Sequence, residues 1–521
     1  MFAFKHGLPR WWLPAAGLAL VATFAVLAGR FWHPYYGFTK FVQLDEADQR
    51  TGIHEIRDYP VFAYAGFNGY DGASYTQIAF HPLLRSPELQ PALGNVPYRA
   101  RRILGSALAW LLAGGEPSRI ASTYAALNLG VWLGLAALLW RVLPVTDARS
   151  LLAWTGVLFA AGTLHSVRLA LTDLLAATLV VAAIWLGECG RTRGALGVLA
   201  TAGLARETAL AGVAGLWRGP WRSGRSWFAN GLRAGLVVLP LLAWMLYVRW
   251  QAGPAAQGLG NFTWPVVGWI EKWGATLVDF DRAPNFRWLN FTTLLALLGL
   301  SAQAVFFIRR ARIESPWWRV GLSGVAMMIL LGTSVWEGHP GAATRVLLPM
   351  SVAFAVLAVR ERVGAGWVAA GSLSVFSGVL ALWQVPHGPR DLAAGRFAQG
   401  AYLVRVEHGW YATERSGSRA WAWAATRGSL VLETSPRRAG SVAVRLQLRA
   451  FTLRAMDVCD GDRVLWQGIV GDKRQWIQFD LPLPVDGRAT FEIRSAAPGV
   501  PENNRAAARA LGFAVYAVTL D

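Results

Sequence analysis

The chain has 521 residues, 54% of them hydrophobic and 16% charged, with a formal net charge of +19. Apolar runs of about 17 to 23 residues recur from Trp11 to Gln384, long enough to cross a hydrocarbon core of roughly 30 Å, which excludes a string of ordinary soluble domains. The arginines sit in short clusters between those runs, which argues against nucleic acid as a partner; the two cysteines, Cys189 and Cys459, make neither a disulfide framework nor a zinc site.

In chain order, the first element is the apolar run 11–29. Lys5 and Arg10 precede it, as they would in a secretory signal. Its length exceeds a signal core of about 7 to 15 residues and predicts an uncleaved helix with a cytoplasmic N-terminus. Residues 30–102 are too polar to span and too aromatic for disorder, so they predict an outer loop of short amphipathic helices lying on the membrane surface. The apolar stretch 103–113 is short and reads as re-entrant or interfacial. Further spans are predicted over 118–140, 151–164, 172–188, 230–250, 290–308, 318–336, 344–360 and 364–384. The arginine-rich loops at 141–149, 191–193, 218–225, 309–312 and 360–362 face the cytoplasm by the positive-inside rule.

Segment 194–217 has arginines at both ends and predicts a helical hairpin turning near 204–208. Arg206 and Glu207 then sit at a costly depth, and either pair with each other or face protein or a wet cavity. A second outer loop covers 251–290, where Trp264, Trp269 and Trp273 are spaced for an interfacial helix. The total is an α-helical polytopic membrane protein of about nine spans plus re-entrant or half helices.

Beyond Gln384 the pattern changes. Residues 385–401 read as a linker. From Tyr402 the period becomes two, as in Ser441–Arg449, with turns at Asp460-Gly461, Gly471-Asp472 and Asp486-Gly487. Residues 402–521 therefore predict an all-β, jelly-roll-like sandwich of about eight or nine strands, extracytoplasmic by parity.

Three stretches carry candidate chemistry. In Gly66–Pro82, Asp71 lies between glycines at 69 and 72, with Tyr70 and Tyr75 close by. Asp71 is either a general base or the cap of a turn, and the tyrosines suit a sugar ring or a membrane surface. Next, Arg99, Arg101 and Arg102 lie on the outer side, against the positive-inside trend, and bind either a lipid-linked phosphate or anionic headgroups. The third stretch, Glu337–Arg345, holds His339, a type more often structural than catalytic when alone, and Arg345, which is either a site residue or a snorkelling interface residue. Asp45 and Asp48 fit either an acidic site or a solvated helix face, and Asp173 starts a span where N-capping explains it. Asn261-Phe-Thr263 and Asn290-Phe-Thr292 match the glycosylation acceptor. In the β region, Trp410, Tyr411, Trp421 and Trp423 either stack on sugars or belong to the sandwich core. No nucleotide-binding loop or metal-protease motif appears in supporting context.

Taken together, Tyr70-Asp71-Gly72, Tyr98-Arg99 with Arg101 to Leu104, Leu171-Thr172-Asp173, Ala205 to Leu210 and Arg345 to Pro349 resemble the GT-C class of polytopic glycosyltransferases. The likeness is to bacterial members related to the dolichyl-phosphate-mannose-dependent mannosyltransferases. It implies an inverting transfer from a polyprenyl-phosphate sugar to a cell-envelope glycan, lipid or protein at the outer face of a bacterial inner membrane, with the sandwich in the periplasm. It implies Asp71 as the catalytic base, with Asp45 or Asp48 as alternatives. Arg99, Arg101, Arg102 and Arg345 would offset the leaving phosphate, and Tyr70, Tyr75, Asp173, Arg206, Glu207 and His339 would complete the substrate site. A divalent cation is a candidate cofactor, though no ligand cluster in the sequence marks its place. Relatives carry Gln and a second Tyr after the Asp-Gly, where this chain has Ala73, Ser74 and Tyr75. Two other classes fit the outline: a transporter or flippase of lipid-linked glycans, and a non-catalytic envelope assembly protein.

Overall fold

The computed structural model describes residues 11–66, 68–220, 223–254, 261–282, 287–503 and 508–521. Lys5, Arg10 and Arg222, which entered the charge reading, lie outside the described residues. The chain divides into two units, Met1–Phe31 with Phe38–Val385, and Trp32–Gly37 with Pro386–Asp521.

The first unit is helical. Five described helices are long and apolar enough to cross a membrane: Trp12–Gly29, Pro117–Val142, Ala148–Arg168, Gly224–Ala252 and Arg287–Arg309. Ala365–Gly371 and Val375–Trp383, bent by 43°, make a sixth if counted as one span. The Gly224–Ala252 helix leaves Phe228, Leu232, Leu239 and Leu246 exposed, an apolar surface suited to lipid rather than water. Several of the about nine spans read from hydropathy are shorter or divided helices. Asp173–Glu188 has 16 residues, and Pro316–Leu330 has 15 before Leu331 turns extended. Residues 344–360 divide into Ala343–Val346 and Leu348–Arg360.

Residues 30–102 depart from the surface-lying helices expected of them. The Asp71–Phe80 helix is buried from Gly72 through Phe80. The reason is a run of small residues that lets other backbone approach. A Cβ on Gly72 would collide with the carbonyl oxygen of Leu169. The short Leu104–Leu112 helix packs on it, and Ser106 Oγ donates to the Tyr75 carbonyl at 2.7 Å. Around 204–208 the Thr192–Ala205 helix ends, Arg206 is extended (φ −158°, ψ 130°), and a 3-10 helix, Glu207–Leu216, packs back against the first.

The second unit holds two large packed sheets and a small one that pairs Val500–Pro501 with Ala510–Leu511. One runs Arg463–Val470, Arg454–Asp460, Arg488–Ser495, Arg427–Thr434, Tyr402–Val406, Arg396–Gln399. The other runs Gln475–Leu483, Gly440–Ala450, Phe513–Leu520, Arg419–Ala424, Glu414–Ser416. Alternating residues such as Leu430, Leu432, Val444 and Leu446 meet in one core. The stretch read as a linker contains Arg396–Gln399, an edge strand too short to show an alternating pattern, which pairs antiparallel with Tyr402–Val406. Trp410 joins the core against Phe513. Trp421 and Trp423 point to the other side of their strand, where Trp421 stacks on Tyr516 at 5.6 Å.

Candidate functional site

Asp71 is the first residue of its helix, and Tyr70 before it is extended (φ −133°, ψ 168°). Tyr70 is held there by its N–H, which donates to the Gln43 carbonyl at 3.1 Å. Tyr75 follows one helical turn after Asp71, so both side chains share a face. That face borders a cavity of about 330 Å³. Arg101 and Arg102, just after the Val96–Ala100 helix, enter the same cavity, as do Arg206 and Glu207 from the helix break. Asp173, at the first position of its helix, and Arg345, on the short Ala343–Val346 helix, complete the charged lining. Four arginines thus face three carboxylates.

The pairings are specific. Glu207 accepts a bidentate fork from Arg102, at 2.9 and 2.8 Å, and a further contact from Arg101 at 3.1 Å. Arg102 also donates to the Tyr75 hydroxyl at 2.9 Å. Arg206 pairs with Asp173, not with its neighbour Glu207. The extended backbone at Arg206 sends adjacent side chains to different partners. Asp173 is nearly fully buried and sits inside its helix at the first position, so it does not serve as the cap expected of it. Arg345 is 7% exposed, donates to the Tyr70 hydroxyl at 2.8 Å and lies over the Tyr70 ring.

The arginines are not saturated. Nε of Arg101, Arg206 and Arg345 is buried without a hydrogen-bond partner among the described residues. An unmet buried donor costs about 1–3 kcal/mol, more for a charged group.

Two residues singled out from sequence lie elsewhere. His339 is off the cavity wall, with Nδ1 3.3 Å from Thr293 Oγ1. Arg99 borders a second cavity of about 610 Å³, which Tyr70 and Asp71 also line. There its Nε stands 4.0 Å from Asp71, and its Nη1 donates to the Leu93 carbonyl at 2.6 Å. Asp48 lines that second cavity, and burial together with the Asp45 carboxylate pushes its carboxyl above the ordinary value. Asp45 is occupied as a helix cap, accepting the N–H groups of Asp48 and Gly69.

The sequence reading missed other wall residues. Asn261 lines the first cavity and donates to the Tyr98 hydroxyl at 3.3 Å. Its match to a glycosylation acceptor gave no hint of this. Asn261 arrives because residues 261–266 run along 329–332, with Gly332 N–H donating to the Asn261 carbonyl at 2.8 Å. Tyr98, flanked by the arginine cluster, carries the Arg101 guanidinium over its ring at 4.2 Å. Among the described residues no three His, Cys, Asp or Glu side chains are arranged to hold a metal ion. Asp173 and Glu207 are already held by arginines, so the donor set does not fit a divalent cation.

No family model and no curated protein matches this chain. Among solved structures it is similar to arabinosyltransferase EmbB from Mycobacterium smegmatis, at 10% identity and a TM-score of 0.22. The similarity covers 100% of this chain and 66% of that one.

Proposed function

We propose that this chain is a membrane glycosyltransferase of GT-C type that moves a sugar from a polyprenyl-phosphate donor to an acceptor hydroxyl at the outer face of the membrane. The observation that carries the reading is one cavity that Asp71 shares with Arg101, Arg102, Arg206 and Arg345. The donor phosphate lies against Arg206 and Arg345, with Arg101 at the edge. Asp71 takes the proton of the acceptor hydroxyl as its oxygen bonds the anomeric carbon. The bond from that carbon to the phosphate oxygen breaks on the opposite side, which inverts the configuration. The arginines stabilise the charge left on the polyprenyl phosphate.

Proteoliposomes holding the full chain and a labelled polyprenyl-phosphate sugar test this directly. Transfer to acceptor is expected from the wild type, and Asp71→Asn should lose at least about 100-fold while remaining folded. Full activity of that variant would remove Asp71 as the base. Movement of the labelled lipid between leaflets without transfer would instead favour a flippase.

A further inference from the structure

Asp71 and Tyr70 stand on the walls of two cavities whose chemistries differ. The first is rich in arginine. The second brings Asp48, Ser74 and Gln77 to Asp71, with Arg99 as the cation on its wall. Two carboxylates therefore face one guanidinium, and that guanidinium already donates to the Leu93 carbonyl. Its apolar side chains are few, chiefly Ala92 and Leu93. An acidic headgroup would meet net negative charge, and an acyl chain would find little apolar wall. A neutral polyol fits: carboxylates accept its hydroxyls, and Ser74 both donates and accepts. A Cβ at Gly69 would strike the Asp48 carboxylate, so glycine there keeps Asp48 in its place on the chamber wall.

We propose that this second chamber is the acceptor subsite, and that the acceptor is the neutral, hydroxyl-rich end of a glycan. The inference rests on the glycosyltransferase reading above. The acceptor hydroxyl enters from this chamber and gives its proton to Asp71. Its oxygen forms the new bond to the anomeric carbon as the phosphate departs with the electron pair into the arginine cavity.

The test uses proteoliposomes with a labelled polyprenyl-phosphate sugar and three acceptor probes: neutral methyl glycosides, the matching methyl uronosides, and phosphatidylglycerol. Two variants are compared with the wild type. Asp48→Asn removes one carboxylate, and Ala92→Trp fills the chamber from its partly exposed wall. Both should raise the acceptor KM by about tenfold or more with donor affinity unchanged, as for the loss of one charge-assisted hydrogen bond or of space. Neutral glycosides should be preferred over uronosides and phospholipid. Transfer with unchanged acceptor KM in both variants, or preference for an acidic or lipid acceptor, would overturn the acceptor subsite alone. A wild type that neither binds nor cleaves any polyprenyl-phosphate sugar would bring down the glycosyltransferase reading, and this inference with it.

Discussion

Arg345 illustrates how burial turns a common residue into a binding group. Its guanidinium is almost fully enclosed, yet among the described residues its hydrogen bond is to a neutral phenol, with Nε unmet. A buried cation so lightly compensated is expensive unless a ligand completes it. Arg345→Gln should therefore weaken donor binding by about tenfold or more in a proteoliposome assay, while Arg345→Lys restores charge but not the planar fork and recovers only part. Asp48 shows the opposite economy. Its folded-state pKa lies above the usual carboxylate value because of burial and Asp45. The sign follows: a raised acid pKa favours the folded state below the unfolded value, near 3.9, and loses that advantage as pH rises through the folded value. Asp48→Asn should thus stabilise the protein at pH 7, by less than about 1 kcal/mol after solvent screening, with no gain at pH 3. Thermal melts in detergent at the two pH values measure this.

At the scale of elements, the site depends on close approach. The Asp71–Phe80 helix is buried from Gly72 through Phe80, and Gly72 faces the Leu169 carbonyl directly. Gly72→Ala should cost about 1–3 kcal/mol through overpacking and lower transfer by shifting Asp71. A lower melting temperature together with reduced transfer is the expected pair of results. The Arg206 break works in the same way. An unbroken helix from 192 to 216 would turn adjacent side chains about 100° apart on one cylinder, whereas the extended residue directs Arg206 to Asp173 and Glu207 to Arg101 and Arg102. Arginine clusters on both sides of segment 194–217 made a turn there legible; the identity of the partners was not, because they come from residues 101, 102 and 173.

At the scale of the whole molecule, one native cysteine reads out membrane orientation. Cys189 is exposed at the end of the Asp173–Glu188 helix, beside Arg191 and Arg193. Cys459 is buried in the β unit. With the arginine loops cytoplasmic, a membrane-impermeant maleimide should label Cys189 only after vesicles are opened. A cysteine placed at Val485, an exposed turn of the β unit, should label in intact cells once the outer envelope is permeabilised. Labelling of Cys189 from outside would reverse the assigned orientation.

Some of this was local and therefore readable in one dimension. Apolar runs marked the helices long and apolar enough to cross a membrane, period-two alternation marked the β unit, and the clustering of Asp71 with Arg99, Arg101 and Arg102 marked a charged segment. These follow from sums over neighbouring residues, which folding does not change. The rest required distance in space. Apolar residues continue through Leu331, so hydropathy could not see that helix stop. His339 looked equivalent to Arg345 in the sequence, yet only Arg345 turns into the cavity. Asn261 meets Tyr98 across more than a hundred residues. Asp71 at the junction of two chambers, one dominated by guanidinium and one by carboxylate, arises only when widely separated segments converge, because charge balance in a cavity is set by which side chains share it rather than by their order in the chain.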